Sequence, residues 1–417
     1  MVPSAVLSRS GRLPLYTLTL ANAISWHGSA VTQLAVPWFV LSSTGSPTLT
    51  GVVALCGLSG GLLSFLFGAD LIDRLGYRRA SILSDVLSAL AVALLPLLAL
   101  GGRLPFWEVA VLAFARALLE GPGSTARASL LPDLAREGGV PLEHANTLSE
   151  VAESGSGWTG PLLAGVLIST LGASRVLWID ATSFLVSAAL IGWGVPRSAR
   201  GREREAPDLL PRVDIDRWAG WRWLWRDGPL RVIFGSSVVF GALMAALFAV
   251  VLPVFARRTE DAVGLGTLVS AFGVGSVLGA LLFGRFGGRW SRRTTFLASV
   301  WGLCGLFGGL ALAPTLPVAV AVCFVGGLIS GPNGPLIPTI LQERTPAELR
   351  AWVFSASAVL TMLASPLGVL LGGVALDRLP FTAALLGMTA LFAVAVVAAT
   401  LDRGLHDLTT ARGSTGG

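Results

Sequence analysis

Arg116, Glu120, Ser124 and Arg127 lie in one long apolar stretch, separated by four, four and three residues. On a helix this spacing puts all four on one face. Charges at membrane depth are expensive, and they face a bundle interior or a cavity where they find partners. Arg116 and Glu120 stand at i,i+4, the spacing at which opposite charges pair. Asp180 and Asp85 are further acids within apolar stretches. The chemistry available to such groups is ion pairing that fixes helix packing, or acid–base exchange by a carboxylate beside a permanent cation.

A second face is polar and aromatic. Asn22, Trp26, Ser29 and Gln33 are spaced four, three and four residues apart. Polar groups with an aromatic suit a cavity that holds an organic amphiphile without gripping it. His27, one step off this face, reads as a packing or hydrogen-bonding residue. Asn333 and Thr361 are the corresponding cavity candidates from the second half of the chain, with Phe240 and Trp301 as apolar lining.

The third feature is the segment GADLIDRLGYRRA, Gly68 to Ala80, which puts five charges into thirteen residues between two apolar stretches. Asp73, Arg74, Arg78 and Arg79 follow one another closely, with Gly68 and Gly76 available for a tight turn. Asp73 could accept from exposed amides at the start of a helix near Ala351 to Ser355. The arginines could pair with Asp133 or with lipid phosphates.

The elements that must position these residues are set by composition. Of 417 residues, 53% are hydrophobic and only 13% charged. Soluble domains carry about a quarter charged residues, so the chain is an integral membrane protein. A crossing needs about 20 apolar residues. Twelve such spans are expected, near 14–41, 49–72, 80–101, 105–131, 145–171 and 175–195, then 229–256, 264–288, 294–313, 316–342, 351–376 and 380–401. The first is read as a retained helix rather than a signal peptide. Between the sixth and seventh lies a polar linker, 196–228, whose Trp218, Trp221 and Trp225 at helical spacing predict a helix in the membrane interface.

All thirty basic residues are arginine, and only Arg103, Arg175, Arg257, Arg258 and Arg378 fall on the side opposite the linker. The positive-inside rule therefore puts both termini and the linker in the cytoplasm. The arginines sit in short loops rather than on one soluble face, which argues against a nucleic-acid partner despite the net charge of +6. Cys56, Cys304 and Cys323 read as small buried hydrophobes. GLSGGLLSFLFG at 57–68 aligns without gaps to GVGSVLGALLFG at 273–284, and TGPLLAG at 159–165 pairs with ASPLGVLLGG at 364–373. The expected result is two pseudo-symmetric six-helix bundles, 1–195 and 229–417, the second with a short cytoplasmic tail.

These residues carry a resemblance. Gly68 to Arg79 looks like the signature between helices two and three of the major facilitator superfamily, with Gly68 one residue further from the Asp73–Arg74 pair. Phe114 to Gly121 resembles that superfamily's fourth-helix motif, and GSGWTGPLLAG at 155–165 its fifth-helix Gly-Pro motif, with Ala164–Gly165 at the usual Gly-Gly. ARASLLPDL, LEHANTLSEV and WIDATSFLVSAALI are similar to the exporter branch that contains the enterobactin exporter and macrolide efflux proteins. The resemblance implies an all-α major facilitator fold working by alternating access. It implies proton coupling at Arg116; Glu120 is the candidate for the acid that loads and releases the proton, with Asp180 and Asp85 as secondary acid candidates. It also implies gating by Gly68, Asp73, Arg74, Gly76, Arg78, Arg79 and Asp133. Gly157, Gly160, Pro161 and Gly165 are read as a close helix-packing surface and kink.

There is no G-x-x-x-x-G-K-[ST], and a chain without lysine cannot contain one. No nucleophile–base constellation stands out either. The expectation is a non-enzymatic, cofactor-free exporter of an amphiphilic organic molecule (a drug, macrolide or siderophore) by proton antiport. It would sit as a monomer in a bacterial inner membrane, with protons, lipid and a small-molecule substrate as partners. An importer or facilitator of the same fold is the alternative. A membrane sensor or membrane-embedded enzyme is a remote one.

Overall fold

A computed structural model describes residues 11–100, 105–196, 219–258, 261–286, 291–345 and 350–402. Fifteen α-helices run through these residues. The first six are α1 (Leu13–Thr44), α2 (Pro47–Leu75), α3 (Tyr77–Leu100), α4 (Phe106–Glu137), α5 (Leu142–Leu171) and α6 (Ala173–Gly194). A short α7 (Ala219–Arg226) precedes α8 (Gly228–Ala246) and α9 (Leu252–Arg258). Then come α10 (Ala262–Phe286), α11 (Arg292–Leu312), α12 (Leu316–Ser330), α13 (Asn333–Arg344), α14 (Arg350–Arg378) and α15 (Phe381–Leu401).

Two expected spans are each built from more than one helix. In the seventh, α8 passes into α9 through a π-helical turn at Leu247–Val251. Pro253 follows immediately and has no N–H to give the preceding turn, so the widened turn absorbs the mismatch. In the tenth, α12 and α13 are separated at Gly331–Pro332. Elsewhere the helices run through Pro37, Pro96, Pro122 and Pro161, which buried helices tolerate because neighbours satisfy the freed carbonyls.

Among the described residues, eight helical stretches are long and apolar enough to cross a membrane by length and composition. The helices α1, α4, α5 and α14, 29 to 32 residues long, are not among them. The first three carry the polar and charged side chains singled out above, so their lower apolar content reflects residues turned toward protein rather than lipid.

The helices cluster into two compact units. One contains α1, α3 to α6 and α2 from Val52 onward; the other contains residues 46–51 and α7 to α15. Each unit has the same internal pairing. In the first, α1 packs on α5, α3 on α4, and α3 on α6; in the second, α8 packs on α14, α11 on α12, and α11 on α15. Gly60 of α2 lies against the Phe114 carbonyl of α4, as Gly275 of α10 lies against the Phe324 carbonyl of α12. No side chain fits at either place, so each of these helix pairs needs a glycine at its crossing.

Helix ends follow local chemistry. Gly76 adopts φ 75° and its N–H donates to the Ile72 carbonyl at 2.8 Å, ending α2 one residue before α3 begins. Helix α2 runs unbroken through Gly68, so of the two glycines expected to turn the chain only Gly76 does so. Asp227 caps α8 by accepting from the Leu230 N–H at 3.0 Å, and it also accepts from Arg344 Nε at 3.1 Å. Of the linker, the described residues include the helix α7, where Trp225 is exposed; Trp218 and the side chain of Trp221 lie outside the described residues.

Candidate functional site

The first unit holds a cluster of one cation and two acids. Arg116 Nη2 stands 3.2 Å from Glu120 Oε2, one turn along α4. Arg116 Nε stands 3.4 Å from Asp180 Oδ2 of α6. Ser29 Oγ of α1 donates to Glu120 Oε1 at 2.8 Å. The Arg116 guanidinium also lies 5.7 Å from the centroid of the Phe184 ring. The three charges differ in access, since the Asp180 side chain is 0% exposed and that of Glu120 is 23% exposed.

Helix α1 permits this arrangement because position 28 is glycine. A Cβ at Gly28 would overlap Ser183 Oγ and crowd Asp180 Oδ1. Ser183 Oγ donates to the Asp180 carbonyl at 2.8 Å and lies 3.3 Å from Asp180 Oδ1. With both carboxyls ionised the cluster would carry one net negative charge, with one of its two acids fully buried. A buried charge without a partner is strongly disfavoured. Of the two acids, Glu120 is the more accessible.

About two helical turns away is a second ionic group. Arg127 Nη1 contacts Asp85 Oδ1 at 2.6 Å, and both side chains are 2% exposed. Ser187 Oγ of α6 donates to Asp85 Oδ2 at 2.7 Å, and Arg127 Nη1 lies 3.5 Å from Ser81 Oγ. Among the described residues the fully buried charges are Asp85, Arg127 and Asp180, all in the first unit.

The expected single face of α4 therefore divides. Arg116 and Glu120 belong to one group, Arg127 to the other, and Ser124 Oγ donates to the Gly121 carbonyl of its own helix. Asp85 has a larger place than the sequence suggested, and Ser183 and Ser187 were not anticipated. Their signal was present: Asp180, Ser183 and Ser187 recur at i, i+3 and i+7 in an otherwise apolar helix.

The expected cavity face of α1 also divides. Gln33 is exposed and Trp26 and Ser29 are half-buried, but Asn22 is buried at 4%. His27 ties α1 to α5, its Nε2 lying 2.9 Å from Thr159 Oγ1. In the second unit Asn333 is buried at the start of α13, beside the break in the tenth span. Thr361 turns inward: it donates to the Ser357 carbonyl at 3.1 Å and its methyl packs against Gly241 of α8. Of the fifth-helix glycines, Gly160 packs against Ala30 of α1, whereas Gly157 has open space where a side chain would go. Pro161 lies inside α5, and Gly165 follows it on the same helix.

In the charged turn, the side chain of Asp73 lies outside the described residues, as do those of Ala351, Trp352, Phe354 and Ser355 at the start of α14. Arg78 Nε donates to the Val195 carbonyl at 2.9 Å, and its Nη2 donates to the Gly192 carbonyl. It therefore caps the C-terminal end of α6, where a cation complements the helix dipole. Asp133 pairs with Arg136 on its own helix rather than with the arginines of the turn. Arg74 and Arg79 are exposed.

Sequence comparison matches residues 18–261 and 237–413 to the Major Facilitator Superfamily. The chain belongs to this superfamily. Among relatives of this Major Facilitator protein is the multidrug efflux pump Tap of Mycolicibacterium fortuitum, 31% identical over 401 residues, covering 95% of this chain and 98% of Tap. Macrolide efflux protein A of Streptococcus pyogenes is 24% identical over 376 residues, covering 88% of this chain and 90% of that protein. Among solved structures, the nucleoside transporter NupG superposes with a TM-score of 0.75 at 12% identity, over 93% of this chain and 98% of NupG. A bacterial homologue of the iron transporter ferroportin gives 0.65 at 17% identity, over 95% of this chain and 98% of that one. At such identities the structural likeness shows the Major Facilitator fold and nothing about substrate.

Proposed function

We propose that the chain exports drug-like amphiphilic organic molecules, macrolides among them, by proton antiport and alternating access. It acts as a monomer in a bacterial inner membrane, with both termini cytoplasmic. The names of the relatives support export and the substrate class. The observation that carries proton coupling is the cluster of Arg116 with two carboxylates, only one of which meets solvent. Protonation of Glu120 leaves Arg116 paired with Asp180 alone. Loss of that proton restores a second claim on the guanidinium and pulls α1, through Ser29, toward α4. This couples proton occupancy to the packing of a helix whose Trp26 and Gln33 are offered to substrate; within the second unit Asn333 is a separate substrate-cavity candidate. At the cytoplasmic face Asp73 serves as the gate, and Gly76 sets the turn that presents it.

The test uses proteoliposomes with an acidic interior, an oriented population of the protein, and two probes, ethidium and erythromycin. Uptake that rises with the pH difference and collapses with nigericin is the expected result. Uptake indifferent to the gradient removes proton antiport, and no uptake of either probe removes the drug-exporter reading.

A further inference from the structure

The two ionic groups of the first unit are joined by buried polar atoms that have no protein partner. Helices α1 and α4 run antiparallel, with Ser29 bonded to Glu120 and Gly11 meeting Glu137 near their far ends. That register puts Asn22 level with Arg127. Helices α3 and α4 also run antiparallel, with Ser84 against Gly123 and Ser81 against Arg127. That register puts Ser88 level with Glu120, one turn of α3 from Asp85. Asn22 Oδ1, Ser25 Oγ, Ser88 Oγ and Arg127 Nε are all buried and lack hydrogen-bond partners. Asn22, Ser25, Ser88 and Arg127 are each at most 4% exposed.

Unpaired buried polar atoms in such number are costly unless water serves them, and internal water sits where two to four polar atoms converge. Along α6, Asp180 and Ser187 are seven residues apart, a rise of about 10 Å. Direct proton transfer between the two acids over that distance is excluded, since transfer needs hydrogen-bond reach or one intervening water per step. Ser183 and Ser88 stand in the interval.

We propose that this seam is a hydrated proton path, in which Asp85 is a second proton carrier between the Arg116–Glu120–Asp180 cluster and the end of the bundle that bears the chain's N-terminus. The proposal rests on the antiport reading above. A proton leaving Glu120 or Asp180 adds to a hydroxyl or water oxygen, which releases its own proton onward until Asp85 is neutral. Arg127 keeps its charge throughout, and Ser187 keeps its hydrogen bond to the acid. The charged and titratable groups near Asp85 are Arg127 and, further along α4, Glu120; Asp180 on α6 stands about 10 Å away in axial rise.

The experiment compares the full-length parent with Asp85→Asn and with Asp85→Asn/Arg127→Gln, which removes both charges of the pair and keeps a folded control available. Proteoliposomes report ethidium uptake driven by a pH gradient and, separately, ethidium counterflow with no gradient. The expected result is gradient-driven uptake reduced at least about tenfold, a typical scale for loss of a proton-transfer group, with counterflow within about twofold of the parent. Infrared difference spectra between acidic and basic pH should show a carboxylic-acid band that both variants lack, which a purely structural ion pair would not give. If parent and variants share that band, or if gradient-driven uptake is unchanged in the variants, the path is overturned. If the parent itself shows no gradient-driven uptake, the antiport reading fails and the path fails with it. A parent that couples to protons beside variants that couple equally well overturns the path alone.

Discussion

Arg127 of α4 and Asp85 of α3 form an ion pair at 2.6 Å, with each side chain 2% exposed. A pair this deep is better evidence for specificity of packing than for net stability, because desolvation offsets most of its attraction. Removing one partner is a different matter, since it strands a buried charge. Asp85→Ala should lower the unfolding free energy by about 3 to 5 kcal/mol. Replacing both residues, as Asp85→Leu/Arg127→Met, should cost much less. Thermal unfolding of purified protein in detergent checks the order. Equal losses in the single and double variants would show that the pair is not the source.

Glu120→Gln keeps the shape and the bond from Ser29 but cannot hold a titrating proton. Transport of ethidium in proteoliposomes should lose its dependence on the pH gradient while substrate counterflow persists. Retained pH dependence would move the coupling acid to Asp180.

Gly28 faces Ser183 and Asp180 with no room for a methyl group. Gly28→Ala should destabilise the first unit by about 1 to 3 kcal/mol through overpacking, and should reduce coupled transport more than counterflow. Gly157→Ala on α5, where there is open space, should be silent in both assays.

Asp73→Asn should impair ethidium export from intact cells while leaving expression and membrane insertion at parental levels. Export equal to the parent would remove Asp73 from the gate. Arg78→Ala tests a different role, because Arg78 caps α6; it should lower thermal stability as well as transport.

At the start of α11, Arg292 donates to both carboxylate oxygens of Glu343, which lies just past the apolar part of α13; one of these bonds measures 2.8 Å. This hydrogen bonding holds the Glu343 carboxyl below its ordinary value of 4.5. A carboxyl depressed in the folded state stabilises the fold above its unfolded pKa, and that contribution is lost as pH falls through the folded value. Acidification below about pH 4.5 should therefore lower the melting temperature of the parent slightly more than that of Glu343→Gln. Both side chains are more than a third exposed, so the difference should stay below about 1 kcal/mol.

Much of this was legible along the chain. Composition made a polytopic membrane protein unavoidable, since so few charges cannot cover so much apolar surface. The glycine repeat announced two similar halves, and the same helix pairings recur in both units. The i,i+4 spacing of Arg116 and Glu120 was sufficient to predict their pairing, because it is a property of one helix. Partners on other helices were not readable in this way. Spacing on α4 grouped Arg127 with Arg116, but only the antiparallel register of α3 and α4 gave it Asp85. Asp180 became the third member of the cluster because Gly28 lets α6 approach α1. Arg78, read as a gate residue that pairs with Asp133 or lipid, found the end of α6 instead. Periodicity determines which way a side chain leaves its own helix. What it meets depends on the axial register between helices, which is set by the packing of many small residues at once and exists only in the folded bundle.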